Sequence, residues 1–417
     1  MGGRYLVMLL MALATLAPAA AGERESSYSL EQLRVIARSV HPTLEAAEAA
    51  REVSSGLLNQ AAAYSNPRLV LGVGRGRPRD GGDARSENQF LLVQPIEILG
   101  LRRWRKRLGE VNFRGAEADR VLAESIIDSA TAVLVYEVLL AERRAEISKQ
   151  SVELTERLQQ LLEHRADLGE SSPLEVMKAR TEWFTRRRDL LDAQGATSAA
   201  RAALRLFCGE RIPKDFILAD RLQKVNLVEL PLDLVERLLL RNPALIRAAI
   251  TVEEAGVRTE VAKKEILPAI NVIAGYETEL DREGGSIGVG LTVPLWNRNA
   301  GTITATTAQQ AVVSAEFRQL ALDLETTLER VSAEYRQARG AIRLHQEGWT
   351  SAARRSLDVV YFSFENGEAS LLELLDAQRS NLSVDLSEAE SWARLGIAQA
   401  EIERLTAGPL AEENRND

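Results

Sequence analysis

The strongest constraint on the fold of this 417-residue chain is that its sequence contains the same unit twice. Paired landmarks recur about 200 residues apart and in the same order, which indicates a duplication. These landmarks are His41-Pro42 and Asn242-Pro243, Asn66-Pro67 and Leu267-Pro268, Gln94-Pro95 and Val293-Pro294, and Gly169-Glu170 and Gly367-Glu368. Both halves of the chain are therefore expected to form the same succession of helices and strands.

Each unit is predicted to contain a helix, two short strands, a very long helix and a return helix. In the first unit, apolar residues at steps of three and four predict one helix from residue 29 to about 64. Alternating apolar residues then predict strands, and long proline-free stretches predict the helices. The predicted ranges are 68–75, 89–96, 102–165 and 173–207 in the first unit, and 269–278, 286–294, 302–366 and 370–406 in the second.

The same pattern divides the chain into segments. Residues 1–22 combine Arg4, a short apolar run and small residues at the end, which predicts a secretory signal peptide. A retained membrane anchor is the alternative, although the apolar run is short for a span of about 20 residues. The remaining segments are a first repeat at 23–207, a linker at 208–230, a second repeat at 231–406 and a tail at 407–417.

The long helices exclude an ordinary compact domain. At about 1.5 Å per residue, roughly 64 helical residues reach about 95 Å. Leu122, Ile126 and Val133 belong to an apolar seam with coiled-coil-like spacing, among many Arg and Glu residues. Such helices must pack side by side, so each long helix is expected to form an antiparallel hairpin with its return helix.

The strands have the length and pattern of membrane-crossing strands. Each is about 8 to 10 residues long, close to the roughly 9 to 11 residues that cross a bilayer at a tilt. Four strands cannot close a barrel, because single-chain bacterial barrels begin at about eight. The sequence therefore predicts that several copies pool their strands. Two soluble hairpins that pack on the helices are the alternative.

Composition and motifs argue against an enzyme. The net charge is −8, which disfavours nucleic-acid binding, and the single cysteine, Cys208, cannot form a disulfide within the chain. Gly72-Val73-Gly74-Arg75-Gly76 mimics a dinucleotide loop, but a strand follows it instead of a helix. His41, His164 and His345 lie in different segments. We therefore expect no catalytic residues, no cofactor and no resident metal site.

The candidate functional residues lie at the hairpin turns and at the strand–helix junctions. Acids repeated around a symmetry axis could form rings that select cations, although acids also suit helix starts in general. Trp104 and Trp296 follow the second strand of each unit, where an aromatic belt or ordinary corner packing would place them. The turn candidates are Glu170, Glu175, Glu368, Glu373 and Asp376, with Gly169, Ser172, Gly367 and Ser370 beside them.

The chain resembles the outer membrane efflux proteins of the TolC family, above all over residues 366–378. The resemblance implies a homotrimer with a 12-stranded barrel in the outer membrane of a Gram-negative bacterium, in contact with its lipid, and a periplasmic helical tunnel. It also implies docking of the turns to a periplasmic membrane-fusion adaptor and an inner-membrane pump of the RND type. Within the family, the chain looks most like the heavy-metal group.

The resemblance also assigns roles to residues at the turn. Glu373 and Asp376 fall on the acidic gate positions, and Glu175 occupies the matching place in the first repeat. Phe364 and Ala369 stand where some relatives carry a tyrosine and an arginine, so a different closing network is expected.

These observations favour a mainly helical, duplicated protein with a small β part. They favour a function as a passive exit duct that catalyses no reaction. Its cargo is undefined, with heavy-metal cations, drugs and secreted proteins as the alternatives. A periplasmic coiled-coil adaptor without a barrel is the rival interpretation, and a hydrolytic function has no supporting residues.

Overall fold

The computed structural model describes residues 27–97, 100–225, 227–279 and 282–410. The predicted signal peptide lies outside the described residues, as does most of the predicted tail. The helices are α1 (Leu30–Val40), α2 (Pro42–Ala62), α3 (Leu101–Asp167), α4 (Pro173–Phe207), α5 (Leu234–Arg241), α6 (Pro243–Lys264), α7 (Ala300–Glu347), α8 (Trp349–Glu365) and α9 (Leu371–Thr406). The strands are β1 (Ser27–Tyr28), β2 (Arg68–Gly76), β3 (Arg85–Ile96), β4 (Ile217–Leu218), β5 (Ala269–Glu279) and β6 (Arg282–Thr292).

A polar cap followed by proline starts the same helix in both units. The Asn242 side chain accepts the Ala244 N–H at 2.9 Å, and Nδ1 of His41 accepts the Thr43 N–H at 3.3 Å. Proline suits the next position because its missing N–H would have no partner there. It also keeps the residue before it extended. The single helix predicted over 29–64 is therefore wrong, since the chain forms α1 and α2 with a break at His41.

The four long strands form one antiparallel sheet in the order β2-β3-β5-β6. Each unit supplies a hairpin, and the two hairpins meet where Phe90 pairs with Tyr276. β3 and β6 consequently run in the same direction and deliver the chain to the long helices at one end of the sheet. The sheet leaves large apolar side chains uncovered, with Val73 85% and Ile287 88% exposed. β6 begins at Arg282 and ends at Thr292, not at the predicted 286–294.

The long helices leave the sheet and return as hairpins. α3 has 67 residues, which is about 100 Å of helix, and α4 runs back along it. The helix predicted over 302–366 is wrong in one respect, because Gly348 adopts φ +128° and divides it into α7 and α8. The prediction relied on the absence of proline and overlooked that glycine reaches positive φ at little cost. Among the described helices, none is both long and apolar enough to cross a membrane.

Among the described residues, most of the buried apolar side chains form two separate clusters along the hairpins. The central core contains fully buried residues of several helices, among them Leu33, Val138, Leu238, Tyr335, Ile342 and Leu395. The tip core lies beside the hairpin turns and consists of Leu158, Leu162, Ala179, Leu357, Phe364, Leu371, Leu374 and Leu375. Burial of a large aliphatic side chain contributes about 1.5–3 kcal/mol. Both cores join elements of the first unit to elements of the second.

Candidate functional site: the paired hairpin turns

The α3–α4 and α8–α9 turns are built in the same way. Each long helix ends at a glycine with positive φ, +79° at Gly169 and +77° at Gly367. In the second turn, the Gly367 N–H donates to the Phe364 carbonyl at 3.1 Å and the Glu368 N–H donates to the Ser363 carbonyl at 2.8 Å. The equivalent bonds in the first turn measure 3.0 and 2.8 Å. This paired arrangement requires glycine because other residues are strained at such a φ.

Both return helices begin with the same capping box. The Ser370 hydroxyl accepts the Glu373 N–H at 3.3 Å, while the Glu373 carboxylate accepts the Ser370 N–H at 2.7 Å. Ser172 and Glu175 repeat the box, with the Glu175 carboxylate 2.8 Å from the Ser172 nitrogen. Each box satisfies backbone donors that have no partner within the helix. The two serines predicted to dock a partner and two of the predicted gate acids therefore stabilise the helix starts.

The capping box fixes the charge state of Glu373. The Ser370 N–H and then the Ser370 hydroxyl lower the pKa of the Glu373 carboxyl from its ordinary 4.5. Glu373 is thus ionised near neutral pH, with its carboxylate bound to the start of its own helix. Asp376 lies one turn further along α9 and is exposed. Glu170 and Glu368 are also exposed, and their backbone N–H groups close the glycine turns.

Arg165 joins the two turns to each other. Its guanidinium donates to the carbonyl oxygens of Phe364 at 3.3 Å and Glu365 at 2.5 Å, both in the last turn of α8. The last carbonyls of a helix have no partner within it and form the negative end of its dipole. The Arg165 guanidinium on α3 therefore supplies hydrogen-bond donors to the last carbonyls of α8. No sequence motif marks Arg165 for this contact, although basic residues in a last helical turn often bind helix-terminal carbonyls.

Phe364 supports this contact from within the chain. Its side chain is only 5% exposed and packs in the tip core, and the Arg165 guanidinium lies 5.5 Å from its ring centre. Phe364, which was predicted to belong to the gate, therefore packs its ring against other residues of the same chain. The expectation that Phe364 belongs to the gate stays a prediction.

A buried ion cluster joins the two return helices near the tip. Glu182 is 8% exposed and accepts hydrogen bonds from Arg186 at 2.6 and 2.9 Å on its own helix and from Arg379 at 2.8 Å on α9. Burial raises the pKa of the Glu182 carboxyl, but the two guanidinium groups outweigh it and the pKa is lowered. The spacing of Glu182 and Arg186 suggests a pair within one helix, whereas the contact with Arg379 had no signal in the sequence.

A cleft of about 590 Å³ separates the starts of α4 and α9. Its lining brings Glu175 and Ser370 to the same surface, together with exposed apolar side chains. Leu174, Met177 and Leu372 are 56%, 59% and 70% exposed. One predicted turn residue from each unit, Glu175 and Ser370, therefore lines the same groove.

Trp104 and Trp296 lie far from the turns, at the helix end of the sheet. Trp296 follows β6 and is 93% exposed, while Trp104 is half-buried in the first turn of α3. Because β3 and β6 run in the same direction, both residues occupy the same level. Across the part of the chain that the structure describes, no three His, Cys, Asp or Glu side chains are grouped to hold a metal ion.

Glu182→Gln is expected to lower the stability at pH 7 by on the order of 1–3 kcal/mol, because it removes the charge that binds both guanidinium groups. The wild-type advantage is present above pH 4.5 and is lost as the pH falls through the lowered pKa. Thermal unfolding at pH 7 and pH 3.5 measures both effects. Glu153→Gln is the control, since Glu153 is 57% exposed and 4.0 Å from Lys149. An equal difference at both pH values would contradict the charge argument.

Comparison with known proteins agrees with this geometry. The profile of the outer membrane efflux protein family matches residues 33–210 and 234–408. The cobalt-zinc-cadmium resistance protein CzcC of Cupriavidus metallidurans is 24% identical over 363 residues, which cover 86% of this chain and 85% of that protein. The pyoverdine export outer membrane protein OpmQ of Pseudomonas aeruginosa is 22% identical and covers 77% of this chain and 72% of its own length.

The fold is shared with solved structures. A crystal structure of CusC, described for conformational changes that accompany folding and transmembrane channel formation, superimposes with a TM-score of 0.80 at 17% identity. The superposition covers 91% of this chain and 92% of CusC. The matched profile spans both units, the hairpins and the sheet, and the chain belongs to the outer membrane efflux protein family.

Proposed function

We propose that this protein is the exit duct of a tripartite efflux system, which passes substrate from an inner-membrane pump and a periplasmic adaptor to the exterior. The observation that carries the proposal is that α3 follows β3 closely in the chain. β3 belongs to a sheet with exposed apolar side chains and ends at Ile96, and about 100 Å of packed helix begins at Leu101. Such a molecule reaches from an outer-membrane sheet deep into the periplasm, and its function is conduction without chemistry.

The assembly we propose is a homotrimer. Among the described strands, β2 and β6 each have one unpaired edge, and unpaired edges expose backbone donors and acceptors. Lipid cannot satisfy these groups, so each edge requires a strand from another copy. Three copies would supply twelve strands in one closed sheet. Trp104 and Trp296 would then lie at the level of the lipid headgroups, on the helix side of the sheet.

The adaptor alternative fits these features less well. An adaptor has no need for amphipathic strands of bilayer length, whereas β2, β3, β5 and β6 have 9, 12, 11 and 11 residues. Their exposed apolar faces would be a liability in a soluble protein. A hydrolytic function gains no support from the described side chains.

Purification tests the assembly and the alternative together. Extracted from outer membranes in mild detergent without boiling, the protein is expected to have the mass of a trimer and to form ion-conducting pores in a planar bilayer. Release by salt alone as a monomer without pore activity would overturn the duct and favour the adaptor. The thermally dissociated protein provides the monomer reference.

We propose divalent heavy-metal cations as the cargo. CzcC is named for resistance to cobalt, zinc and cadmium, and the turns of this chain carry acids that attract cations. A deletion strain is expected to lose growth in Co²⁺, Zn²⁺ or Cd²⁺ and to regain it with the wild-type gene. Unchanged metal tolerance together with loss of siderophore export would assign the cargo class of OpmQ instead.

The gate we propose lies at the paired turns. Gly169, Ser172, Gly367 and Ser370 form the surface that an adaptor engages, and displacement of α8 and α9 opens the tip. Acids from three copies would form rings around the axis, and their mutual repulsion favours the open arrangement. The Arg165 contact with the end of α8 acts in the opposite sense, since it holds the turns together.

The double variant Glu373→Gln, Asp376→Asn is expected to lower both the resting conductance and the cation selectivity of the pore, because repulsion between the rings is removed. Glutamine can still occupy the capping box, so the helix start is preserved. Single-channel recording in a planar bilayer measures both properties. Glu153→Gln, an exposed acid about 20 Å from the turns, is the matched control. Equal conductance in the double variant and the wild type would remove the charge effect from the gate.

A further inference from the structure

The tip core and the central core are separated along every long element that joins them. Facing residues of the two cores are 15 to 25 positions apart on these helices, or about 20–40 Å. The residues that bound the gap are Ile342 and Leu357 on α7–α8, Leu375 and Trp392 on α9, Leu139 and Leu158 on α3, and Ala179 and Leu204 on α4. Ile147 and Val384 are buried in this gap but belong to neither core. Fewer apolar contacts therefore oppose movement of the tip than would oppose it in a continuous core.

A polar cleft of about 440 Å³ opens where the gap borders the central core, beside Leu139 and Trp392. Charged side chains from three elements line it, among them Glu142, Glu146, Arg143, Asp385 and Glu388. Charged groups that line an open cleft stay accessible to solvent when the walls shift, so their rearrangement costs less than opening a close-packed core. The polar layer is thus the place where the hairpins can bend.

The backbone of the second unit is interrupted at this layer. Gly348 adopts φ +128° between the end of α7 and the start of α8, whereas α3 continues without a break at the equivalent stage of the first unit. A Cβ at Gly348 would have room, since its nearest neighbour is the Ser351 hydroxyl at 3.6 Å. The backbone conformation, and not the space, is what requires glycine here.

A buried histidine spans the break. His345 is 6% exposed, stacks on Trp349 with ring centres 4.5 Å apart, and has its Nδ1 2.9 Å from the Thr350 hydroxyl oxygen. The Thr350 hydroxyl donates to Glu388 on α9 at 3.1 Å. Its only proton is used there, so Nδ1 of His345 donates and Nε2 carries the lone pair. Nε2 is buried, and no described protein atom forms a hydrogen bond with it.

We propose that Gly348 is a hinge about which α8 and the tip core move relative to the central core, and that a proton on His345 releases it. Protonation would place a second N–H and a positive charge in a buried position without an acceptor for that N–H. Bending at Gly348 exposes the imidazole to water and breaks its link through Thr350 to α9. In the proposed duct, this movement changes the width of the tip, a consequence that rests on the proposed function.

The charges around the break set the direction of the pH effect. Burial lowers the pKa of His345 from 6.5, while Glu388 and Asp385 on α9 act in the opposite direction. The released form, in which the imidazole is exposed, binds the proton better, so release begins as the pH falls below about 6.5.

Two basic side chains face the same layer. Arg354 on α8 lies 3.9 Å from Asp385, and Arg143 on α3 lines the cleft. Burial raises the pKa of the Asp385 carboxyl, so a proton on Asp385 stabilises the closed packing and opposes the effect of His345. Protonation of His345 thus favours release of the hinge, whereas protonation of Asp385 opposes it. Substituting each residue in turn separates the two effects.

Hydrogen exchange of the full-length protein in detergent tests the hinge. In the wild type, peptides from 345–352 are expected to exchange several-fold faster at pH 5.5 than at pH 7.5, after correction for the intrinsic rate. His345→Gln should exchange equally at both pH values, because glutamine does not titrate. Asp385→Asn should retain the response. Peptides from 325–342 in the central core serve as the internal reference.

Gly348→Ala provides a second measurement, independent of titration. Alanine is strained at φ +128°, so this variant should exchange faster around the break at both pH values. A wild type without a pH response, an unchanged response in His345→Gln, or unaltered exchange in Gly348→Ala would each overturn the proposal. Exchange is measured whether or not the protein conducts, so failure of the hinge and failure of the duct are distinguishable.

Discussion

The packing of α3 against both units is the constraint on which the other elements depend. A helix of 67 residues is held by its neighbours more than by its own hydrogen bonds, because most helical stability in proteins comes from a buried face. α3 packs against α1, α2 and α4 of its own unit and against α6 and α9 of the other. Val138 and Leu158, one in each core, are completely buried by these contacts. The duplication therefore acts as an internal partner that covers faces which one unit alone would leave exposed.

The ends of the helices need separate solutions because apolar packing cannot satisfy their free backbone N–H and C=O groups. Glycine turns, capping boxes and the Arg165 contact satisfy backbone groups that would otherwise have no partner. Glu175 and Glu373, which the resemblance assigns to the gate, therefore also have a structural role. Each forms part of the capping box at the start of its own helix. The same carboxylates can hold a helix and present charge, because Glu373 is exposed to solvent and Glu175 is partly exposed.

The proposed movement of the tip depends on the region between the two cores, where apolar contacts between the helices are fewer. The central and tip cores are separate clusters of buried apolar side chains, and charged residues line a cleft in the region between them. Gly348, His345 and Glu388 lie in that region, so a small change of charge acts where resistance to bending is lowest. Such a design lets the tip respond to a partner or to pH while the sheet and the central helices keep their packing.

The sequence by itself determined the order and the approximate extent of the elements, because these depend on local periodicity, proline and capping residues. It predicted the hairpins, the four strands and the turns, with α4 found at the predicted 173–207. Its errors at His41 and Gly348 arose where one residue interrupts a strong helical pattern. Only the tertiary structure decided that Arg165 reaches α8, that Glu182 binds Arg379 and that Phe364 is buried. These contacts join residues about 200 positions apart, and their geometry depends on how two long helices are placed side by side, which no local pattern encodes.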